Sequence, residues 1–132
     1  MIITFGELVL KWDKADRWVI HAPYHVSLDD VGLIIPTGFK TDLTSIPITL
    51  WGVLSPMGAY TPAAILHDYL YWLQACTKER ADFIFLEAMR SLGIKEILAL
   101  ALYRGVKNFG HTAWNNHSER IRDSYRQLDL FA

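Results

Sequence analysis

Three polar residues on two predicted helices have the types and spacing to form a chemical site. His67 and Asp68 are adjacent in Thr61–Ala75, and Asp82 lies in Lys78–Ser91; both segments carry apolar residues at helical spacing. Asp82 falls on the apolar stripe of its helix, where an unpaired carboxylate would be costly. The link between the helices is short, which predicts antiparallel neighbours. We therefore expect His67 and Asp82 to meet, either as a buried structural pair or as a site.

Two further carboxylates bear on the choice between those interpretations. Asp68 lies about 100° from His67 around the same helix, and Asp42 lies upstream in the irregular segment Gly38–Pro47. Asp68 would also suit the surface of its helix, because the helix dipole favours a carboxylate in the first half. Asp42 would also suit a turn. However, carboxylates are the ligands that hard cations prefer, and several of them near one histidine favour a site. The sequence thus predicts a divalent cation, Ca²⁺ or Mg²⁺, at Asp68 and Asp42.

The predicted strands come before the predicted helices, which is the order of an α+β fold. Residues 1–37 are β-rich, 38–60 are irregular, 61–126 are helical and 127–132 form a tail, all within one domain. The helical part begins with Thr61 as its predicted N-cap and Pro62 at the first helical position. We expect an N-terminal antiparallel sheet of about four strands, then a bundle of three or four helices. The predicted strands are Ile2–Lys11, Arg17–His21, Tyr24–Leu28 and Gly32–Pro36, the last two joined by a turn at Asp29-Asp30, and the further helices are Ile94–Asn108 and Thr112–Gln127.

Composition excludes several classes of protein. Of 132 residues, 52% are hydrophobic and 20% charged, which indicates a folded chain rather than a disordered one. The net charge of −1 gives no strong signal for nucleic-acid binding. A single cysteine, Cys76, rules out an internal disulfide. The longest apolar run, Ile97–Tyr103, is too short for a transmembrane segment.

The C-terminal residues Gln127–Phe131, which read QLDLF, resemble a docking peptide. They are similar to the motif by which bacterial polymerases and repair factors bind the DNA sliding clamp. The resemblance implies that Gln127 binds at the rim of a pocket, while Leu130 and Phe131 fill an apolar cleft beside Leu128. The other interpretation is that the apolar side chains pack the last helix onto the core.

Four segments in order resemble the phage and prophage family known as domain of unknown function 1353. The likeness covers about residues 32–114 and implies a viral or prophage origin, without implying an activity. The segments are GFKTDLTSIP (Gly38–Pro47), AAILHDYLY (Ala63–Tyr71), ERADFIFLEAMRSLGI (Glu79–Ile94) and LYRGVKNFG (Leu102–Gly110).

The helix containing HDYLY, followed by one containing RADFIF, is also similar to the central helices of phospholipases A2. This resemblance implies that His67 is the general base, Asp68 a calcium ligand and Asp82 the carboxylate that orients the histidine. A neutral imidazole held by a carboxylate can take a proton from water, and a cation can polarise an ester carbonyl. The chain departs from that family because it lacks the glycine-rich calcium loop and the disulfides.

Together these features predict a phage-encoded accessory protein with a candidate His/Asp site for ester or phosphoester hydrolysis. The alternative is a protein without catalysis, which either binds the host sliding clamp or serves as a virion or lysis component. In that second case the apolar segment Leu50–Tyr60 would be the contact surface. We expect the chain in the host bacterial cytoplasm, with association with the virion as the alternative.

Overall fold

The computed structural model describes residues 1–14, 17–41 and 59–116. Strands come first and helices follow, which confirms the α+β class. The strands are β1 (Ile3–Phe5), β2 (Leu10–Lys14), β3 (Arg17–Ile20), β4 (Tyr24–Leu28), β5 (Val31–Ile35) and β6 (Lys40–Thr41). The helices are α1 (Thr61–Leu73), α2 (Lys78–Ser91) and α3 (Glu96–Phe109), and residues 111–116 are also helical.

The strands form two antiparallel sheets rather than the single sheet of about four strands that was expected. The first sheet has the order β1-β4-β5 and the second the order β2-β3-β6. The predicted strand Ile2–Lys11 is wrong as a single element, because residues 6–9 interrupt it. Gly6 still donates its N–H to the carbonyl of His25 at 2.8 Å, after which the chain leaves the first sheet and enters the second.

A tight turn at Asp29 and Asp30 joins β4 to β5, as predicted. Both residues have positive φ, 48° and 69°. A two-residue hairpin turn of type I′ requires this conformation, and aspartate tolerates it better than most residues. The Asp29 carboxylate also accepts a hydrogen bond from the N–H of Ile2 at 2.6 Å, which ties the turn to the start of the chain.

The helix boundaries depend on their caps. Thr77 accepts a hydrogen bond from the N–H of Arg80, and α2 begins at the next residue, where the sequence places it. The predicted N-cap of α1 is wrong by one position, because Tyr60 caps the helix and Thr61 is its first residue. α3 begins at Glu96, later than the expected Ile94. None of the described helices combines the length and the apolar character that crossing a lipid bilayer requires.

Aromatic residues connect the strands to the helices in the core. Phe39, which precedes β6, makes an edge contact with Tyr69 of α1 at 5.2 Å between ring centroids and another with Trp72 at 6.2 Å. Phe39 also accepts a backbone hydrogen bond from the buried Ile20 at the end of β3. α1 is therefore fixed against the second sheet, while α2 packs against β1 of the first.

Candidate functional site

The antiparallel hairpin of α1 and α2 builds the candidate site from two pairs of residues. His67 and Tyr71 are four residues apart on α1, and Lys78 and Asp82 are four apart on α2. Side chains at this spacing lie on one face of a helix. Gln74 ends α1 in a left-handed conformation, with φ of 49°, and this reverses the chain within a few residues. The two pairs consequently face each other.

The Asp82 carboxylate is the centre of the site and accepts three hydrogen bonds. Its Oδ1 atom lies 2.8 Å from Nε2 of His67 and 2.6 Å from the hydroxyl of Tyr71. Its Oδ2 atom accepts from Nζ of Lys78 at 2.7 Å. Asp82 is 1% exposed and His67 is 3% exposed. The structure thus brings His67 and Asp82 together and satisfies the carboxylate that the apolar stripe of α2 buries.

Lys78 connects this carboxylate to the end of α3. Besides Asp82, its ammonium group donates to the carbonyl oxygens of Val106 at 3.0 Å and Lys107 at 3.2 Å. These carbonyls belong to the last turn of α3, the end of a helix that carries partial negative charge. The three protons of the ammonium group therefore have three acceptors, and the buried charge of Asp82 has a buried counter-charge.

Burial and hydrogen bonding shift the pKa values of His67 and Asp82 in opposite directions. Burial is the largest influence on the pKa of His67 and lowers it; the hydrogen bond and charge of Asp82 raise it, the charge of Lys78 lowers it, and the net shift is downward. Burial raises the pKa of Asp82, but the hydrogen bonds from His67, Lys78 and Tyr71 outweigh it, and the net shift is downward. The expected state is a neutral imidazole beside an ionised carboxylate.

Aromatic rings enclose the imidazole. The ring centroid of His67 lies 4.2 Å from that of Tyr71 and 4.7 Å from that of Phe85. Trp114, in the helical residues 111–116, makes an edge contact with Tyr71 at 5.1 Å. Burial, followed by the hydrogen bond to Asp82, raises the pKa of Tyr71, so its phenol remains a donor at neutral pH. These contacts hold the imidazole in one orientation.

Asp68 points to another part of the molecule. Its Oδ2 atom accepts a hydrogen bond from the hydroxyl of Thr41, the last residue of β6. Thr41 immediately precedes Asp42 in the chain, so this contact brings the start of the irregular segment to α1. Asp42 itself lies outside the described residues, as do Leu50–Met57 and the docking residues Gln127, Leu128, Leu130 and Phe131. No cluster of three or more metal-ligating side chains occurs among the described residues.

Three residues of the site escaped sequence reasoning. Tyr71 lies four residues after His67 on α1, a spacing that lets its hydroxyl reach the same carboxylate. The four-residue spacing of Lys78 and Asp82 is compatible with an ion pair, but the two backbone carbonyls that Lys78 also reaches, 28 and 29 residues away, have no sequence signature. Gly110 leaves room for the site, because a Cβ atom there would lie 2.6 Å from the Tyr71 hydroxyl and 3.3 Å from Cε of Lys78.

Comparisons with known proteins give a family without an assigned activity. Residues 18–106 match the family described as protein of unknown function (DUF1353), a range that contains His67, Tyr71, Lys78 and Asp82. An uncharacterized protein of Sinorhizobium fredii (strain NBRC 101917 / NGR234), y4jT, is 35% identical over 78 residues. That stretch is 58% of this chain but 23% of the relative. No solved structure matches the chain. The family match covers most of the sequence, and the chain belongs to the DUF1353 family.

Proposed function

We propose that the chain is a small phage- or prophage-encoded hydrolase that cleaves an ester or phosphoester at the α1–α2 hairpin. The observation that supports this proposal is the hydrogen bond between Nε2 of His67 and Asp82. An ionised carboxylate can only accept, so a neutral ring must carry its proton on Nε2. The lone pair then remains on Nδ1, and that atom is a base of the kind used in general catalysis.

The reaction that suits this arrangement is attack by water. Nδ1 of His67 removes a proton from water while the water oxygen bonds to the carbonyl carbon or the phosphorus. The bond to the leaving oxygen then breaks, and the imidazolium returns its proton to that oxygen. Asp82 stabilises the imidazolium during the reaction, and its hydrogen bonds from Tyr71 and Lys78 hold it in position. In this scheme Tyr71 and Lys78 are positioning residues.

A divalent cation is part of the proposal at Asp68 and Asp42. The Asp68 carboxylate and the adjacent Thr41 hydroxyl supply oxygen donors, the type that Ca²⁺ and Mg²⁺ prefer. When bound, such a cation would polarise the carbonyl or phosphoryl oxygen of the substrate. Asp68 would hold the cation on the side of α1 that meets Thr41 of β6, one residue along the helix from His67.

The competing interpretation is that the network only stabilises the helical hairpin. It draws support from the 3% exposure of His67, because catalysis requires that a substrate reach Nδ1 from solvent. A purely structural network would give no hydrolysis that depends on His67. Enzymatic assays therefore separate the two interpretations more directly than stability measurements do.

The test is hydrolysis by the intact chain of three probes: p-nitrophenyl butyrate, bis(p-nitrophenyl) phosphate and phosphatidylglycerol vesicles. Each is assayed with Ca²⁺, with Mg²⁺ and with a chelator. We expect His67→Gln to lower the rate by about 100-fold or more, the usual contribution of a general base. His25→Gln, at an exposed histidine on β4, is the matched control and should leave the rate unchanged.

Asp68→Asn should remove the dependence on the cation while the protein stays folded. The hydrolase proposal fails if the wild-type chain turns over none of the probes, or if His67→Gln is as active as the control. Circular dichroism of each variant shows that a loss of rate does not come from unfolding.

Clamp binding is a second proposal, which is supported by the match of all five residues of Gln127–Phe131 to the docking motif. Its test is a pull-down with purified bacterial sliding clamp, comparing the intact chain with a chain truncated after Arg126. Capture of the intact chain alone supports docking. Equal capture of both chains, or of neither, contradicts it.

A further inference from the structure

In the part of the chain that the structure describes, β5 is an edge strand whose own sequence lacks the usual protection against pairing. Within the described residues it has β4 on one side and no strand on the other. Its sequence, Val31–Ile35, contains neither a charged residue nor a proline. Natural proteins usually place lysine, proline or a bulge on such edges, because an open edge is a template for another strand.

The hydrogen bonds of β4 identify which of its residues face β1. Gly6 donates its N–H to the carbonyl of His25, and Asp29 donates to the carbonyl of Ile2, both at 2.8 Å. His25 and Asp29 therefore direct their backbone groups towards β1. In an antiparallel sheet, alternate residues of a central strand bond to opposite neighbours. The even-numbered residues of β4 consequently bond to β5.

The same alternation identifies the open groups of β5. Val26 of β4 is paired with Leu33 of β5, so Leu33 directs its N–H and carbonyl towards β4. Gly32 and Ile34, on either side of it, must direct theirs towards the open edge. Two donors and two acceptors thus line this edge, symmetric about Leu33.

We propose that β5 pairs with β5 of a second copy of the chain, antiparallel and centred on Leu33. In this register Gly32 lies opposite Ile34 of the second copy, and each such pair exchanges two hydrogen bonds. A register centred on Ile34 would place Gly32 opposite Pro36, which has no N–H to donate. The open groups of β5 therefore fit a second copy of the same strand, and the position of Pro36 favours the register centred on Leu33.

The side chains and the surroundings of the edge suit this partner. Ile34 is 54% exposed, and a Cβ atom on Gly32 would have no neighbour within 4 Å. A groove of about 430 Å³, lined by residues including Ser27, Gly32 and Ile34, crosses this face of the sheet. The protruding Ile34 of one copy can therefore lie beside the open position at Gly32. Among the described elements, α2 packs against β1, at the opposite edge of the sheet from β5.

Sedimentation velocity of the intact chain over a range of concentrations tests the association. We expect a monomer–dimer equilibrium, and Ile34→Lys should weaken it about tenfold or more, because a charged edge residue opposes pairing. Ile97→Lys is the matched control, since Ile97 is 78% exposed but lies on α3. Equal weakening by both variants, or a wild-type monomer at every concentration up to about 1 mM, overturns the proposal.

A cysteine scan tests the register in a Cys76→Ser background. Leu33 and its symmetry mate form a non-hydrogen-bonded pair with Cα atoms about 4.5 Å apart, within reach of a disulfide. Leu33→Cys should therefore cross-link under mild oxidation. Val31→Cys is the control, because the two copies of position 31 would be about 13 Å apart. The register is wrong if Val31→Cys cross-links as efficiently as Leu33→Cys.

Discussion

At the scale of residues, the site is a closed set of hydrogen bonds around one buried ion pair. Asp82 accepts from His67, Tyr71 and Lys78, and Lys78 donates to Asp82 and to two carbonyls of α3. Breaking such a set at one member leaves a buried group unpaired, and that usually costs more than the bond itself contributes. The set is therefore more sensitive to single than to matched double substitutions.

Lys78→Met is expected to lower the free energy of unfolding by about 3–5 kcal/mol, because it leaves the Asp82 charge buried without its counter-charge. Urea denaturation measures the change. The double variant Lys78→Met with Asp82→Leu should lose less than the sum of the two single losses, because it leaves neither charge buried alone, although His67 and Tyr71 still lose their acceptor. A double variant whose loss equals the sum of the two single losses would show that the residues act independently.

His67 should make the protein less stable in mild acid. Its pKa is lowered in the folded state, whereas the unfolded chain has the ordinary value of about 6.5. Above a pH of about 6.5, His67 is neutral in the folded and the unfolded chain, and its protonation does not reduce the free energy of unfolding. As the pH falls below that value, the unfolded chain binds the proton first and stability is lost. Urea midpoints between pH 8 and 5 should show this loss for the wild type, and a smaller one for His67→Gln.

Helical spacing makes the contact between His67 and Asp82 predictable, because the sequence places both on facing apolar stripes. Tyr71 is predictable by the same count once its hydroxyl is considered. The interaction of Lys78 with α3 is not, because backbone carbonyls have no sequence signature and the docking of α3 depends on tertiary packing. The role of Gly110 depends on the same docking.

At the scale of elements, helix ends and strand ends differ in how clearly the sequence marks them. Thr77 and Gly93 delimit α2 through local side-chain and backbone effects, and the predicted bounds Lys78–Ser91 agree with the structure. The break in Ile2–Lys11 depends instead on which of two sheets each half joins. That choice is made by long-range partners, so an apolar run alone did not reveal it.

The β4–β5 turn should be stabilised by Asp30→Gly. The substitution removes the steric cost of a side chain at positive φ, which is roughly 1–2 kcal/mol for most residues. The greater backbone freedom of glycine in the unfolded chain offsets part of that gain. We expect a net gain in unfolding free energy, measured by urea denaturation. Asp29→Gly is the control and should gain less, because it also loses the hydrogen bond to the N–H of Ile2.

At the scale of the whole molecule, the sheets and the helices share one core, and they should unfold together. Ile20 is fully buried in β3 and is hydrogen-bonded through its backbone to Phe39, which contacts α1. Ile20→Ala should cost about 2–5 kcal/mol. It should shift the unfolding curves from tryptophan fluorescence and from far-ultraviolet circular dichroism by the same amount. Curves that separate would indicate two units rather than the predicted single domain.

The short distance along the chain between His67 and Asp82 has a consequence for the order of folding. They are 15 residues apart, whereas Lys78 and its α3 acceptors are 28 and 29 apart. Contacts of short sequence separation form sooner, because less chain must be ordered to close them. The hairpin can therefore bring His67, Tyr71 and Asp82 together before α3 docks. We expect the carboxylate to acquire its lysine-to-α3 connection last, and the imidazole to experience its final electrostatic environment only when α3 is in place.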